Sequence, residues 1–372
     1  MINRRELLMS MTALPLAIAG CQAGGVAASR LRITLAGQAL MTKPFCVEGY
    51  DGYAEVVAEL RRGDIVFSDL EVAIKTAASG APTRDTQFMH MGSPAVLDCL
   101  QSMGFNLLAL SNNHAWDLGT EGVLATRAAV LQQGFVAAGT GSDIAEASAA
   151  AVIERRQQRV ALVAMATEKI RDGAAATATR AGVNELRLVD GVPHDADVAR
   201  VLQSLRQARR QADFVIAYHH NHDWGADMSV TRPWAKDFAR QCADAGADLY
   251  LSHGAPLLHG LERYGESLLL FGLGSLVFHS ITPIGYYPAQ VWESAIVHCD
   301  YRNGILDTVE VVPVVLNELG DDPARQNETR GRPRLARGAD ARRILQRLAS
   351  LSDGISGFSI DGERARIATG SA

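Results

Sequence analysis

Histidines and acids recur in this chain just beyond apolar runs, where side chains that do chemistry are commonly presented. Of its ten histidines, those at 114, 219, 220, 222, 253, 259 and 279 lie at or near such positions. Gln38 stands near the end of the first apolar run, and Asp69 and Glu71 follow the second. Asn112, Asn113 and His114 follow another, and His219, His220, His222 and Asp223 a later one. His253 closes a further run, with His259 nearby. Carboxylate, amide and imidazole together form a donor set for a hard-to-borderline divalent ion. The same groups do general acid–base work.

Each element also has a structural reading. A strand-end histidine commonly packs or hydrogen-bonds. Asp69 could cap the segment after it, and Asn112-Asn113 could be turn residues. The 219–222 cluster could hold one ligand and three surface residues. Recurrence at five strand ends favours a shared site over five separate structural explanations.

Strands and helices alternate in the sequence pattern. Strands are expected at 31–40, 64–67, 105–110, 135–138, 159–166, 214–218, 249–251 and 268–272, and as a final pair at 290–300 and 305–316. Helices are expected at 53–61, 94–103 with Ser93 as N-cap, 122–133, 195–212, 233–245 and 341–351. This alternation predicts an α/β architecture. In open α/β sheets the crevice beyond the strands' carboxyl ends gathers residues distant in sequence. The stretch 320–340, with Arg325, Arg330, Arg332, Arg334 and Arg337, reads as an exposed polar loop.

The N-terminus carries two export signals. Arg4-Arg5 precedes the apolar stretch 7–19, and small residues lead into Cys21. The stretch is too short for a bilayer span, which needs about 20 residues, and reads as a signal-peptide core. The arginine pair resembles a twin-arginine address, and Cys21 a lipidation site. The expected organisation is a signal peptide at 1–21, a tether at 22–30, one domain at 31–316, and a polar loop with a C-terminal helix at 317–372. The expected location is outside the cytoplasm, anchored through lipid on Cys21 and facing the periplasm or the cell surface.

With 48% hydrophobic residues the chain can bury a sizeable core, and its net charge of −5 carries no basic excess for nucleic acid. Cys46, Cys99, Cys242 and Cys299 are widely spaced and form no CxxC. A twin-arginine substrate folds where thiols stay reduced, so free core cysteines are expected and a cysteine zinc site is not.

Segments 63–74 (GDIVFSDLEVAI), 109–123 (ALSNNHAWDLGTEGV), 218–225 (YHHNHDWG), 243–265 and 268–278 resemble the bacterial capsule synthesis protein CapA family. The resemblance runs from about residue 31 to 315. It implies poly-γ-glutamate synthesis and a layered metallophosphoesterase-like sandwich with helices covering largely β sheets. Asp69-Leu70-Glu71 matches the family's NLE, Asn112-Asn113-His114 with Asp117-Leu118-Gly119 its NNH…D.G, and Ser252 to Pro256 its GHGPH. Three departures stand out. Gln38 replaces the acid of the family's GD, Pro256 stands where a second histidine is usual, and Asp69 replaces an asparagine.

The resemblance marks Glu71, His114, His220, His222 and His253 as candidate catalytic residues. Asn113, Asp223 and His259 are candidate substrate contacts. Asp69, Glu71, Asn113, His114, His220 and His253 are candidate ligands for manganese, iron, zinc or magnesium. Gln38 and Pro256 argue against a tight two-metal site, and one weakly held ion or a metal-free acid–base site is expected instead.

The implied enzyme hydrolyses or transfers amide bonds of an anionic polymer, poly-γ-glutamate or a capsule polysaccharide, within a capsule synthesis complex. The alternatives are a metal-dependent phosphoesterase and a non-catalytic export subunit that grips the polymer through its arginine-rich stretch.

Overall fold

The computed structural model describes residues 29–85, 89–352 and 355–368; Arg4, Arg5, Cys21 and most of the expected tether lie outside them. Two sheets lie face to face. The first runs through Phe358–Asp361, Arg364–Ala368, Ile305–Leu316, Glu293–Arg302, Arg30–Ala36, Ile65–Asp69, Leu107–Ala109 and Val136–Ala138, with Pro333–Leu335 pairing beside Ile305–Leu316. The second runs through Leu261–Tyr264, Ser267–Leu270, Leu249–His253, Phe214–Asn221, Gln158–Thr167 and Ala151–Arg155.

The alternation of side chains along a strand builds the layers. Ile33, Leu35, Phe67 and Leu107 of the first sheet share one core with Leu162, Ile216, Tyr218 and Leu251 of the second. The next residues along, such as Val66, Leu108 and Ile296, face outward onto helices Tyr53–Leu60 and Ala95–Met103. Val163, Val215 and Tyr250 do the same against helices Asp195–Arg209 and Pro233–Asp244. The molecule is therefore an α/β sandwich of four layers, helix–sheet–sheet–helix. Burial on both faces explains why its strands read as continuous apolar runs.

Each sheet contains consecutive parallel strands. In the first these are Arg30–Ala36, Ile65–Asp69, Leu107–Ala109 and Val136–Ala138. In the second they are Gln158–Thr167, Phe214–Asn221, Leu249–His253 and Ser267–Leu270. Contact between Asp69 and His220 brings the carboxyl ends of the two sets to one rim.

Three findings differ from expectation. Cys46 and Cys99 form a disulfide, with Cα atoms 5.4 Å apart, while Cys242 and Cys299 are free and buried. The bond ties the segment after Leu40 to helix Ala95–Met103, a proximity no spacing rule exposes. Helix Ala95–Met103 is preceded by Pro94 at its N-cap, with no side-chain cap from Ser93.

The third concerns the C-terminal part. Beyond helix Gly338–Leu351, it adds Pro333–Leu335, Phe358–Asp361 and Arg364–Ala368 to the first sheet. The arginine-rich stretch is stitched into the body. Arg330 and Arg332 are buried, over Trp292 and over Phe45 and Tyr50 respectively. Arg325 pairs with Glu328, Arg334 with Asp321, and Arg337 with Glu55 and Glu363. Arg330 and Arg332 are thus packed inside the fold, while Arg325, Arg334 and Arg337 form ion pairs nearer the surface.

Candidate active site at the shared strand rim

Asp69 ends its strand fully buried, and the chain passes through Leu70 to Glu71, whose N–H donates to Ala39 O at 3.2 Å. Two residues on, Ala73–Ile74 pairs in parallel with Met91–Gly92, and Ala73 N–H donates to His90 O at 2.9 Å. This short pairing carries His90 to the rim. The turn after Leu107–Ala109 is locked by Asn112, whose Nδ2 donates to Asp69 Oδ1 (3.0 Å) and Leu70 O (2.8 Å). Asn112 Oδ1 in turn accepts from the His114 N–H at 3.0 Å.

Carboxylates orient two of the imidazoles. His114 Nδ1 lies 2.8 Å from Asp117 Oδ2, which also accepts the His90 N–H at 2.8 Å. Arg84 pairs with Asp117 Oδ1 at 2.6 Å and donates to Asn113 O at 2.8 Å. His220 Nδ1 lies 3.0 Å from Asp69 Oδ2. An Nδ1–H donated to a carboxylate turns the Nε2 lone pair outward, the arrangement that presents histidine as a ligand. His220 Nε2 lies 2.9 Å from Asn113 Oδ1 and 3.8 Å from Glu71 Oε1. The His90 and His114 rings stack at 3.6 Å.

The electrostatics follow from burial. Burial, reinforced by Asp69 and Asp117, raises Glu71 well above the ordinary carboxylate range. Burial also raises Asp117 to about 6, against the pull of Arg84. Burial lowers His90, His114 and His222 well below the ordinary imidazole range. Lowered basicity keeps an imidazole neutral, the form that binds a cation or accepts a proton.

Among the described residues, several buried polar atoms have no hydrogen-bond partner: Glu71 Oε2, His90 Nδ1, His222 Nε2 and both nitrogens of His253. Such atoms are costly in a folded interior and ask for a function. Potential ligand atoms of Glu71, His90 and His114 lie within 4.8 Å of one another, as do those of Glu71, His220 and His222. Two imidazoles and a carboxylate suit zinc, manganese or iron, so the residues present fit a divalent cation.

The rim opens into a cleft of about 1390 Å³ whose lining includes Asn113, His222, Trp224 and Tyr287. Arg84, Lys169 and Arg171 supply positive charge there, beside Asp85 and Asp172. Arg171 donates to Thr83 Oγ1 at 2.6 Å, and its guanidinium lies 5.8 Å from the Trp116 ring centre.

The structure thus gathers Asp69, Glu71, Asn113, His114, His220 and His222. His253 sits one strand over, in register with His220, its ring edge-on to Tyr218 and its basicity lowered by burial to about 3. It lines a separate cavity of about 20 Å³ together with Asp223 and His259. There Asp223 accepts from Trp234 Nε1 and Arg232 Nε. His259 bonds Thr231 Oγ1 and Met228 O. Asp223 and His259 accordingly do not reach the open cleft.

His219 points to the opposite face of its strand, held by Tyr250 and Thr167. Gln38 Oε1 accepts the Gly254 N–H at 3.1 Å. Gly254 sits at φ +111 where a Cβ would lie 2.2 Å from Asn221 O. Gln38 therefore braces the crowded turn after His253. His90 was missed by sequence reasoning. It follows no apolar run, and its only sequence signal is its place just before Met91, Gly92 and Ser93.

Residues 26–280 match the family model described as bacterial capsule synthesis protein PGA_cap. Protein y4sH of Sinorhizobium fredii is 28% identical over 306 residues, 67% of this chain and 66% of that one. The chain thus spans just under two thirds of that relative's length. The PGA biosynthesis protein CapA of Bacillus subtilis is 24% identical, over 74% of this chain and 71% of that one. A probable polyglutamine synthesis accessory protein of Mycobacterium tuberculosis is 26% identical, over 75% and 73%. A crystal structure of a hypothetical protein from Thermus thermophilus aligns with a TM-score of 0.45 at 14% identity, covering 76% of this chain and 98% of that one.

Proposed function

For a chain that belongs to the bacterial capsule synthesis protein (PGA_cap) family, we propose an exported, lipid-anchored hydrolase or transferase acting on amide bonds of an anionic capsule polymer such as poly-γ-glutamate. One observation carries this reading. The unpartnered His222 Nε2 belongs to one ligand trio with Glu71 and His220, and His222 lies on the wall of an open cleft that holds Lys169 and Arg171. The names of two relatives, PGA biosynthesis protein and polyglutamine synthesis accessory protein, support the polymer. The Cys46–Cys99 disulfide supports export, since such bonds persist in oxidising compartments. The anchor rests on the sequence before Cys21.

Glu71, His220 and His222 would hold a divalent cation. When bound, that ion supplies Lewis-acid polarisation of a carbonyl and acidifies water. The chain's own residues bind and orient. Lys169 and Arg171 attract polymer carboxylates into the cleft. Asp69 and Asp117 hold the imidazoles of His220 and His114 in fixed tautomers. Burial keeps His222 neutral, the form in which its Nε2 can serve as a ligand. The test is incubation of the purified chain, loaded with zinc or manganese, with poly-γ-glutamate. Shortening or re-ligation of the polymer, lost in His222→Ala, is expected; an unchanged chain length over a full panel of metals counts against it.

A second reading is metal-dependent phosphoester hydrolysis. The same donors beside positive charge favour it, because phosphoryl transfer is catalysed mainly by charge neutralisation and positioning. Cleavage of bis(p-nitrophenyl) phosphate without any action on the polymer would select it.

A further inference from the structure

We propose that a second, uncharged groove beside the rim binds a hydrocarbon chain, so that the site takes an amphiphile with its anionic head in the charged cleft and its aliphatic tail in this groove. The proposal rests on the anionic-polymer reading above and adds what one end of that substrate carries, an acyl chain.

The groove measures about 440 Å³, within the range of small-molecule sites. Leu40, Met91, Phe278, Ile281 and Pro283 supply apolar wall. Among the described residues no Asp, Glu, Lys or Arg lines it. Its two histidines are neutral, because burial lowers His279 to about 3 and His90 well below the ordinary imidazole range. An anionic polymer segment would lose its water there without gaining a counter-charge, whereas a hydrocarbon chain gains from leaving water. The thioethers of Met89 and Met91 adapt to a flexible tail.

The apolar surface runs on beyond the groove. The segment 281–290 contains no charged residue, and Ile281, Ile284 and Tyr286 are 59%, 52% and 65% exposed. The segment is nevertheless pinned. Gly285 N–H donates to Glu318 Oε1 at 2.8 Å, Arg330 donates to Thr282 O at 2.5 Å, and the Tyr286 and Tyr287 rings meet edge-on at 4.9 Å. Large apolar side chains held outward on a fixed segment mark a binding surface, and a wall formed in advance lowers the cost of binding.

Groove and cleft are continuous. Tyr287 lines both. Burial, Tyr286 and the Glu71 carboxylate all raise its phenol, which sets it within the field of the rim cluster. On the other side His90, a wall residue of the groove, stacks on His114 of the rim at 3.6 Å. A head held by Lys169 and Arg171 in the cleft therefore has an uncharged channel next to it for its tail.

The experiment is calorimetric titration of the full chain with N-acylated glutamates, kept below their micelle concentrations, with the acyl chain lengthened from butanoyl to decanoyl. Affinity should rise about fourfold per added CH₂. Ile281→Glu and Tyr286→Glu, both at exposed positions of the groove wall, should flatten the series, with circular dichroism verifying their folding. An alkyl glucoside of matched chain length lacks the anionic head and should bind more weakly. Equal affinity along the series, a series unchanged in both variants, or a glucoside that binds as tightly as the acylated glutamate would overturn the proposal. So would sedimentation of the chain with phosphatidylglycerol vesicles alongside a flat series, which would make segment 281–290 a membrane contact instead. A flat series in a protein that shortens poly-γ-glutamate would remove the groove and leave the polymer reading standing. A steep series in a protein inert toward the polymer would do the reverse.

Discussion

Two parts of the sequence look equally charged and equally available, and the fold treats them oppositely. Arg325 to Arg337 reads as a free cationic strip, yet its side chains meet Asp321, Glu328, Glu55 and Glu363 or lie over aromatic rings. Asp69 to His222 reads as scattered strand-end polar residues, yet it converges into a buried cluster in which Glu71 Oε2, His90 Nδ1 and His222 Nε2 have no partner among the described residues. Where charge finds its counter-charge inside the fold, the residues are structural. Where buried acids crowd together and lone pairs lack protons, the residues are poised for something from outside.

The largest expected effect lies in the cluster. Glu71→Gln removes the carboxylate common to both trios. It should abolish stoichiometric zinc binding and cost the activity about 10²-fold or more, while thermal stability without metal stays level or rises because a buried carboxylate is gone. A melting temperature that collapses with the metal sites would make Glu71 a structural residue and erase the contrast. Asp117→Asn keeps the shape but weakens the acceptor that orients His114, and should lower cation affinity by about 10–100-fold. Isothermal titration with Zn²⁺ measures it.

The structural part should respond in stability alone. Replacing Cys46 and Cys99 by serine opens a link across 53 residues and should cost about 2–4 kcal/mol in chemical denaturation, with activity per folded molecule unchanged. Arg332→Gln removes a buried guanidinium paired to Asp321 and packed on Phe45 and Tyr50. It should cost about 1–3 kcal/mol and leave polymer binding as it was; a selective loss of polymer binding at full stability would restore the free-strip reading.

The smallest effect is one of pH. Asp117 titrates near 6 in the metal-free fold, above its ordinary range. Its contribution to stability is therefore complete below about pH 4 and declines as pH rises through 6. Urea midpoints of the metal-free chain across that window should show the decline, and Asp117→Asn should flatten it.

Much of this was legible in the sequence. Strand and helix periods placed the elements that end at Asp69, His220 and His253, because strands buried on both faces and amphipathic helices leave strong local patterns. Glu71, His114 and His220 could be named because each follows such an element. His90 could not, since it reaches the rim through a two-residue pairing between segments distant in sequence, and a contact that short has no period. The Cys46–Cys99 bond was hidden for the same reason. Arg330 and Arg332 misled because their burial depends on Trp292, Phe45 and Tyr50, aromatic rings far away along the chain. Asp223 and His259 were placed at the right end of the sheet, but their side chains turn to the smaller cavity and bond there.

The most direct test is a crystal of the full chain soaked in Mn²⁺ and measured at an anomalous wavelength. A peak within about 2.3 Å of His222 Nε2 is predicted, shared with His220 and Glu71. A fully soaked crystal with no anomalous density there, and an ordered water bridging Glu71 and His222 instead, would contradict it.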